Sequence, residues 1–340
     1  MNSSDESPPR FPPRAEGVRE RLALQELEYQ IPPIANRLPY MLGGLTFAGI
    51  LVLIVTGVLM DQFYDPTPAG AHESIVYLIT RVPLGRWIRG LHYWSATFVT
   101  MSVVAHVGYV FWRRSYHRPR EVTWWAGVAL FLLLFGLVLT GTVLRADQEG
   151  SEALAHAVEG AKLVGPLGAI LTTDFTPSTA LISRLHNAHV SLLPILLFGV
   201  LGLHFWLIRY LGIHAAEPRS VPFARHLRRL TGFAMLVFAG LGVLAAWWPP
   251  GLGYPGIEGT EVTKSFWPFL WIYSVENQTG LWGMIIAPFI LFGFLVLVPL
   301  IDRGSAPRPK WITALALLLL ALWAGGIVYG FLAPQMQHIM

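Results

Sequence analysis

Seven apolar runs, at about 38–60, 90–112, 122–144, 186–210, 228–248, 280–301 and 311–333, dominate the chain and leave few ways for it to fold. Each is close to the ~20 residues that an α-helix needs to cross the hydrocarbon of a bilayer. Backbone in lipid must satisfy its own hydrogen bonds, and a continuous helix does so within one segment. Of the 340 residues, 54% are hydrophobic and only 13% charged, which water-soluble domains rarely match. The expected fold class is an all-α integral membrane protein with about seven transmembrane helices. There is no cysteine, which excludes disulfides, iron–sulfur ligation by this chain and any thioether-attached group. The net charge of +4 is dispersed over loops, so nucleic acid is not an expected partner; the lipid bilayer is.

Residues 1–30 are polar, with Pro8, Pro9, Pro12 and Pro13. They carry no secretory signal and are expected to form a cytoplasmic tail, with a short amphipathic surface helix over 17–29. Placing the N-terminus in the cytoplasm puts everything ahead of the first span, residues 1–37, and segments 113–121, 209–229 and 302–310 on one side. These hold 17 of the 24 Lys and Arg residues, and the opposite side holds eleven acids. That bias predicts a multi-pass protein of the cell membrane with its N-terminus inside. The basic run Arg113-Arg114-Ser115-Tyr116-His117-Arg118-Pro119-Arg120 would then meet lipid headgroups. Two long outer segments, 145–185 and 249–279, are expected to be functional or partner-binding.

Histidine spacing gives the chemistry. His92 and His106 lie fourteen apart, about 21 Å along a helix and about 40° in azimuth, so both rings leave by nearly one face. His189 and His204, fifteen apart, repeat the arrangement in the fourth run. Two helices with imidazoles at matching heights can hold two stacked haems, whose iron takes axial imidazole readily. Ionisable groups at bilayer depth are costly and usually functional. Both runs travel inward, so His92 pairs with His189 near the outer face and His106 with His204 near the inner one. Geometry alone leaves His186 open as the mate of His204, since it returns to the same azimuth eighteen residues earlier.

Glycines repeat the interval. Gly43 and Gly57, like Gly127 and Gly141, are fourteen apart, and each leaves room for a flat macrocycle edge to approach backbone. Arg89 and Arg184, at the outer ends of the histidine helices, suit haem propionates. Pro194 is expected to bend the fourth span.

These residues resemble the cytochrome b family of quinol-oxidising bc-type complexes, most closely the chloroplast-type branch with its one extra residue in the second histidine pair. The resemblance is carried by Ile31-Pro32-Pro33 through Leu42-Gly43-Gly44, Arg89 to His106, Arg118-Pro119-Arg120-Glu121-Val122-Thr123-Trp124, Gly141-Thr142 and Arg184 to His204, including His189-Val190-Ser191-Leu192-Leu193-Pro194. It favours His189 over His186. It implies a dihaem four-helix bundle over 31–212, two non-covalent b-type haems and quinone or quinol as substrate. Residues 213–340 resemble the three-helix partner subunit of that branch, fused into one chain.

The implied function is a dihaem b-type cytochrome subunit of a respiratory quinol oxidoreductase complex. It would carry electrons between the quinone pool and a Rieske-type iron–sulfur protein, a c-type cytochrome or another outer redox subunit, as a homodimer within a larger complex. Three departures stand out. Pro268-Phe269-Leu270-Trp271 replaces the family's Pro-Glu-Trp-Tyr without its carboxylate, Leu144-Arg145-Ala146-Asp147-Gln148 replaces Leu-Pro-Trp-x-Gln, and Met41 stands where the chloroplast branch tethers an extra haem. Asp147, Glu149 and Glu276 are the carboxylates able to stand in as proton acceptors. The departures keep two other readings open, a quinone-linked dihaem anchor for a different outer oxidoreductase and a non-redox scaffold. Arg209, His214 and Arg225 are the inner-side residues able to meet a quinone oxygen.

Overall fold

The computed structural model describes residues 29–215, 217–304 and 307–338, with Gly17, Glu20 and Arg21 ahead of them. The tail at 1–16 and most of the surface helix expected over 17–29 lie outside the described residues. Seven helices are long and apolar enough to cross a membrane: α1 (Leu38–Asp61), α3 (Gly85–Trp112), α4 (Glu121–Val143), α6 (Leu181–Leu211), α7 (Phe223–Trp247), α9 (Leu281–Ile301) and α10 (Lys310–Leu332). All seven runs read from the sequence reappear, and the protein is an all-α, multi-pass membrane protein. Shorter helices α2 (Ala71–Arg81), α5 (Gln148–Leu163) and α8 (Leu270–Thr279) sit between the spans.

Local chemistry sets the ends. The Asp147 carboxylate accepts from the Gly150 amide at 3.1 Å and caps α5, a contact of about 1 kcal/mol. Gly212 and Gly280, at φ of 72° with an extended ψ, end α6 and α8 in a backbone conformation that essentially only glycine adopts. The fourth span carries a π-type turn over Ala188–Leu192, which contains His189 and ends two residues before Pro194. A two-residue antiparallel pair, Gln30–Ile31 with Val221–Pro222, ties the lead-in of α1 to the start of α7.

Helix α1 packs on α3 and α4 on α6, while α7 lies against α3 and α1. The central core consists of Ile50, Val99, Val103, Leu130, Leu134, Leu197 and Leu201. Each lies in sequence between the glycine or histidine positions of its helix, so the apolar layer separates the two ends of the bundle. A buried Thr46–Ser102 hydroxyl pair at 2.8 Å joins α1 to α3, a polar contact typical of packed membrane helices.

The C-terminal helices share core with the bundle: Phe111, Tyr116, Trp124 and Val128 pack with Leu295, Val298 and Ile312. The Trp124 and Trp125 indoles donate to the Leu295 and Val296 carbonyls at 2.7 and 3.0 Å. Asp302, 1% exposed, accepts hydrogen bonds from Arg114, Tyr116 and Arg308. Part of the basic run is therefore committed within the protein, since Arg120 also donates to the Gly212 carbonyl at 3.0 Å.

Candidate haem-binding site

All four predicted histidines face the predicted glycines, one to one. A Cβ on Gly57 would meet His92 Cε1 at 3.5 Å, and one on Gly43 would meet His106 Cε1 at 3.0 Å. On the other helix pair, a Cβ on Gly141 would meet His189 Cε1 at 3.0 Å and one on Gly127 would meet His204 Cε1 at 3.5 Å. Each glycine thus gives a neighbouring imidazole its room, so α1 receives the rings of α3 and α4 those of α6.

Hydrogen bonding fixes the tautomer of three rings. Thr56 Oγ1 donates to the Val52 carbonyl at 2.7 Å and so accepts from His92 Nδ1–H at 2.9 Å. Thr140 Oγ1 donates to the Gly136 carbonyl at 2.9 Å and accepts from His189 Nδ1–H at 2.8 Å. The Thr123 carbonyl accepts from His204 Nδ1–H at 3.0 Å. Each arrangement leaves Nε2 as the lone-pair nitrogen of a neutral ring, the state that ligates a metal. His106 Nδ1 is buried without a hydrogen-bond partner. Paired neutral imidazoles beside glycine gaps suit planar haem, and the residues present fit that group.

A cavity of about 390 Å³ opens at one end of the bundle, and both His92 and His189 line it with Gly57, Gly141, Arg89 and Arg145. The two rings therefore share one slot. His186 also borders this cavity, but its Nε2 lies 2.7 Å from Asp61 Oδ1 and its ring stacks on Tyr64. Arg89 reaches the cavity while donating to the Pro250 and Gly251 carbonyls at 2.8 and 3.0 Å. Arg184 does not line it; its guanidinium donates to the Ile170 and Thr172 carbonyls at 2.8 and 2.6 Å.

The expected proton acceptors separate. Asp147 is fully buried and saturated by Arg145, Gly150 and Gly253. Glu149 takes Arg145 on one oxygen at 2.6 Å, and its Oε1 is buried without a hydrogen-bond partner. Burial pushes the Glu149 carboxyl up, outweighing the opposing pull of the Arg145 guanidinium. Glu276 stands among histidines instead. Phe269, Leu270 and Trp271, in the stretch matched to the quinol-site motif, are buried core residues.

At the opposite end, the Arg209 guanidinium stacks over the Tyr29 ring at 3.8 Å, whereas His214 and Arg225 are exposed. Sequence reading missed Thr56, Thr140 and Arg145. The threonines had a signal, because each directly precedes its glycine in a repeated Thr-Gly pair, Thr56-Gly57 and Thr140-Gly141. Thr140→Val is expected to keep the fold and weaken haem retention at the His92–His189 site by about 10- to 100-fold, the usual cost of losing a group that orients a ligand. Haem loss to an external acceptor, followed optically, measures it; unchanged retention would remove the threonine from the site.

A sequence profile described as Cytochrome b/b6/petB matches residues 27–212. The chain is 34% identical to cytochrome b6 of Heliobacterium mobile over 190 residues, covering 55% of this chain and 89% of that one. It is 32% identical over 212 residues to the menaquinol:cytochrome c reductase cytochrome b subunit of Geobacillus thermodenitrificans, covering 58% and 95%. A solved structure titled Hyperthermophilic respiratory Complex III superposes with a TM-score of 0.80 at 22% identity, over 95% of this chain and 90% of that one, so the shared fold includes the C-terminal helices. On the profile, the relatives and the fold together, the chain belongs to the cytochrome b/b6 family of haem-binding membrane proteins.

Proposed function

We propose that this protein is the dihaem b-type cytochrome subunit of a quinol:cytochrome c reductase-like membrane complex. The relatives named for menaquinol:cytochrome c reductase support that reading. The observation that carries it is the fourfold histidine–glycine match, with Nδ1 anchored on three of the rings. His92 and His189 would hold one haem, His106 and His204 the other. When bound, the haems supply one-electron transfer between the two ends of the bundle. Residues 31–212 form the dihaem unit in this reading, and 213–340 the fused three-helix unit. With the N-terminus in the cytoplasm, the His92–His189 end faces outward, where an iron–sulfur or c-type cytochrome partner would take electrons. The complex would be dimeric, as in the family.

The residues at the cavity have defined tasks. Arg89 and Arg145 present positive charge there, Tyr93 and Phe266 add aromatic walls, and Arg184 stays with its loop. Glu149 does not line the cavity but pairs with Arg145, which does, and with a buried oxygen free of hydrogen bonds and a raised affinity for protons it would accept a proton from quinol through that contact.

A second reading, a dihaem anchor for another outer oxidoreductase, draws on the absence of a carboxylate from Pro268-Phe269-Leu270-Trp271. The purified complex is expected to show two b-type signals in a reduced-minus-oxidised spectrum and quinol-to-cytochrome c turnover that an outer-site inhibitor stops. Two signals without such turnover would select the anchor; a colourless protein would end both readings.

A further inference from the structure

Away from the haem slots, a second group of ligand-type side chains comes together from three distant parts of the chain. His156 on α5, Glu276 on α8 and His338 beyond α10 each offer a donor atom within 4.8 Å of the other two. Glu261, from the segment before α8, lies against both imidazoles, at 3.2 Å from His156 Nε2 and 3.0 Å from His338 Nδ1. The two glutamates are buried, at 3% and 7% exposure for Glu276 and Glu261.

Proton placement makes this more than a polar cluster. His156 Nδ1–H donates to the Glu152 carbonyl at 2.8 Å, so the lone pair of the neutral ring is on Nε2. That nitrogen is buried without a hydrogen bond and faces Glu276 Oε1 at 3.5 Å, itself buried and without one. His338 Nδ1–H donates to Glu261 Oε1, which likewise leaves its Nε2 as a buried lone pair without a hydrogen-bond partner. His156 Nε2 and Glu276 Oε1, two electron-rich atoms facing each other at 3.5 Å, repel unless a cation stands between them. In metal sites the ligating imidazole gives its other N–H to a backbone carbonyl or a carboxylate, and here the two rings show one of each.

We propose that His156, His338 and Glu276, with Glu261 alongside, form a binding site for a divalent transition-metal ion, Zn²⁺ being the best fit. Two imidazole nitrogens and carboxylate oxygen make a donor set that zinc accepts in tetrahedral geometry. The ion would fasten the segment after α10 onto α5 and α8, reinforcing the bonds from the His338 amide to Glu261 and from the Met336 amide to Tyr273. The chemistry is structural and involves no electron transfer.

The test uses the haem-loaded full-length protein in detergent, stripped with a chelator and titrated with Zn²⁺ against a chromogenic competitor. One Zn²⁺ per chain is expected, with affinity lowered by at least about tenfold in His156→Ala and in His338→Ala. His338 lies beyond the last helix, so that variant reports on the site with the bundle intact, and its haem spectrum in the same sample verifies the fold. Zn²⁺ is also expected to slow carboxypeptidase digestion of the chain beyond residue 332, followed by mass spectrometry. Affinity equal in the wild type and in both variants, or digestion indifferent to Zn²⁺, would overturn the proposal and leave a proton as the cation between these groups.

Discussion

His204→Ala is expected to remove one of the two b-type haem signals and halve the haem content of the purified chain. Electron delivery to the His106–His204 end would fall to background. The variant leaves Gly127 facing a methyl group where an imidazole stood, and in the proposed pairing it strands His106 without a mate. A haem with one axial histidine in an apolar slot loses both affinity and its low-spin spectrum. The His92–His189 signal should persist, because the apolar core layer and its own threonine contacts do not involve His204. Pyridine haemochrome quantification and a low-temperature difference spectrum measure both statements. Two undiminished signals would refute the ligand assignment. His186→Ala serves as the contrast and should retain both haems, since its Nε2 engages Asp61.

The second large effect concerns stability. Asp302→Ala is expected to destabilise the protein by about 3 kcal/mol, because it strips the buried counter-charge from the half-buried Arg114 and Arg308 guanidinium groups. Asp302 accepts from Arg114 Nε at 3.0 Å and from the fully buried Tyr116 hydroxyl, with Arg308 Nε at 3.4 Å. These bonds lock the α3–α4 connection to the α9–α10 connection, so the variant should loosen the C-terminal helices from the bundle. Burial works to raise the Asp302 carboxyl, but the Tyr116 and Arg114 hydrogen bonds outweigh it and hold the group below its ordinary range. A depressed carboxyl stabilises the fold above its unfolded value, about 3.9. That contribution disappears as pH falls through the folded value. Thermal unfolding in detergent should therefore show acid destabilisation below about pH 4 in the wild type, and a flatter profile in Asp302→Asn. Matching profiles would remove the clamp from the argument.

What was legible in the sequence is what repeats along a helix. The seven spans stand out because lipid demands unbroken apolar runs, and the His and Gly intervals survive folding because a helix preserves them. The Thr-Gly pairs were present in the same pattern and escaped only because threonine is unremarkable in a membrane helix. Arg184 shows the limit: its place at a helix end was plain, yet its guanidinium turns to Ile170 and Thr172, a choice made by a loop without periodicity. The cluster of His156, Glu261, Glu276 and His338 was invisible for the same reason, as its members are brought together from well-separated parts of the chain. Asp302 likewise gains its meaning only from Arg114 and Tyr116, on a different connection.

The apolar layer of Ile50, Val99, Val103, Leu130, Leu134, Leu197 and Leu201 has an electrical consequence. With a haem held at each of the proposed imidazole pairs, it would act as the dielectric of a capacitor, and much of the membrane voltage would drop across it. Charge moved over the full drop exchanges about 2.3 kcal/mol per 100 mV, and these hydrocarbon side chains offer no chain of donors along which protons could leak back. An electron crossing that layer toward the negative side does work against the field, and the bundle would thereby store redox energy as voltage.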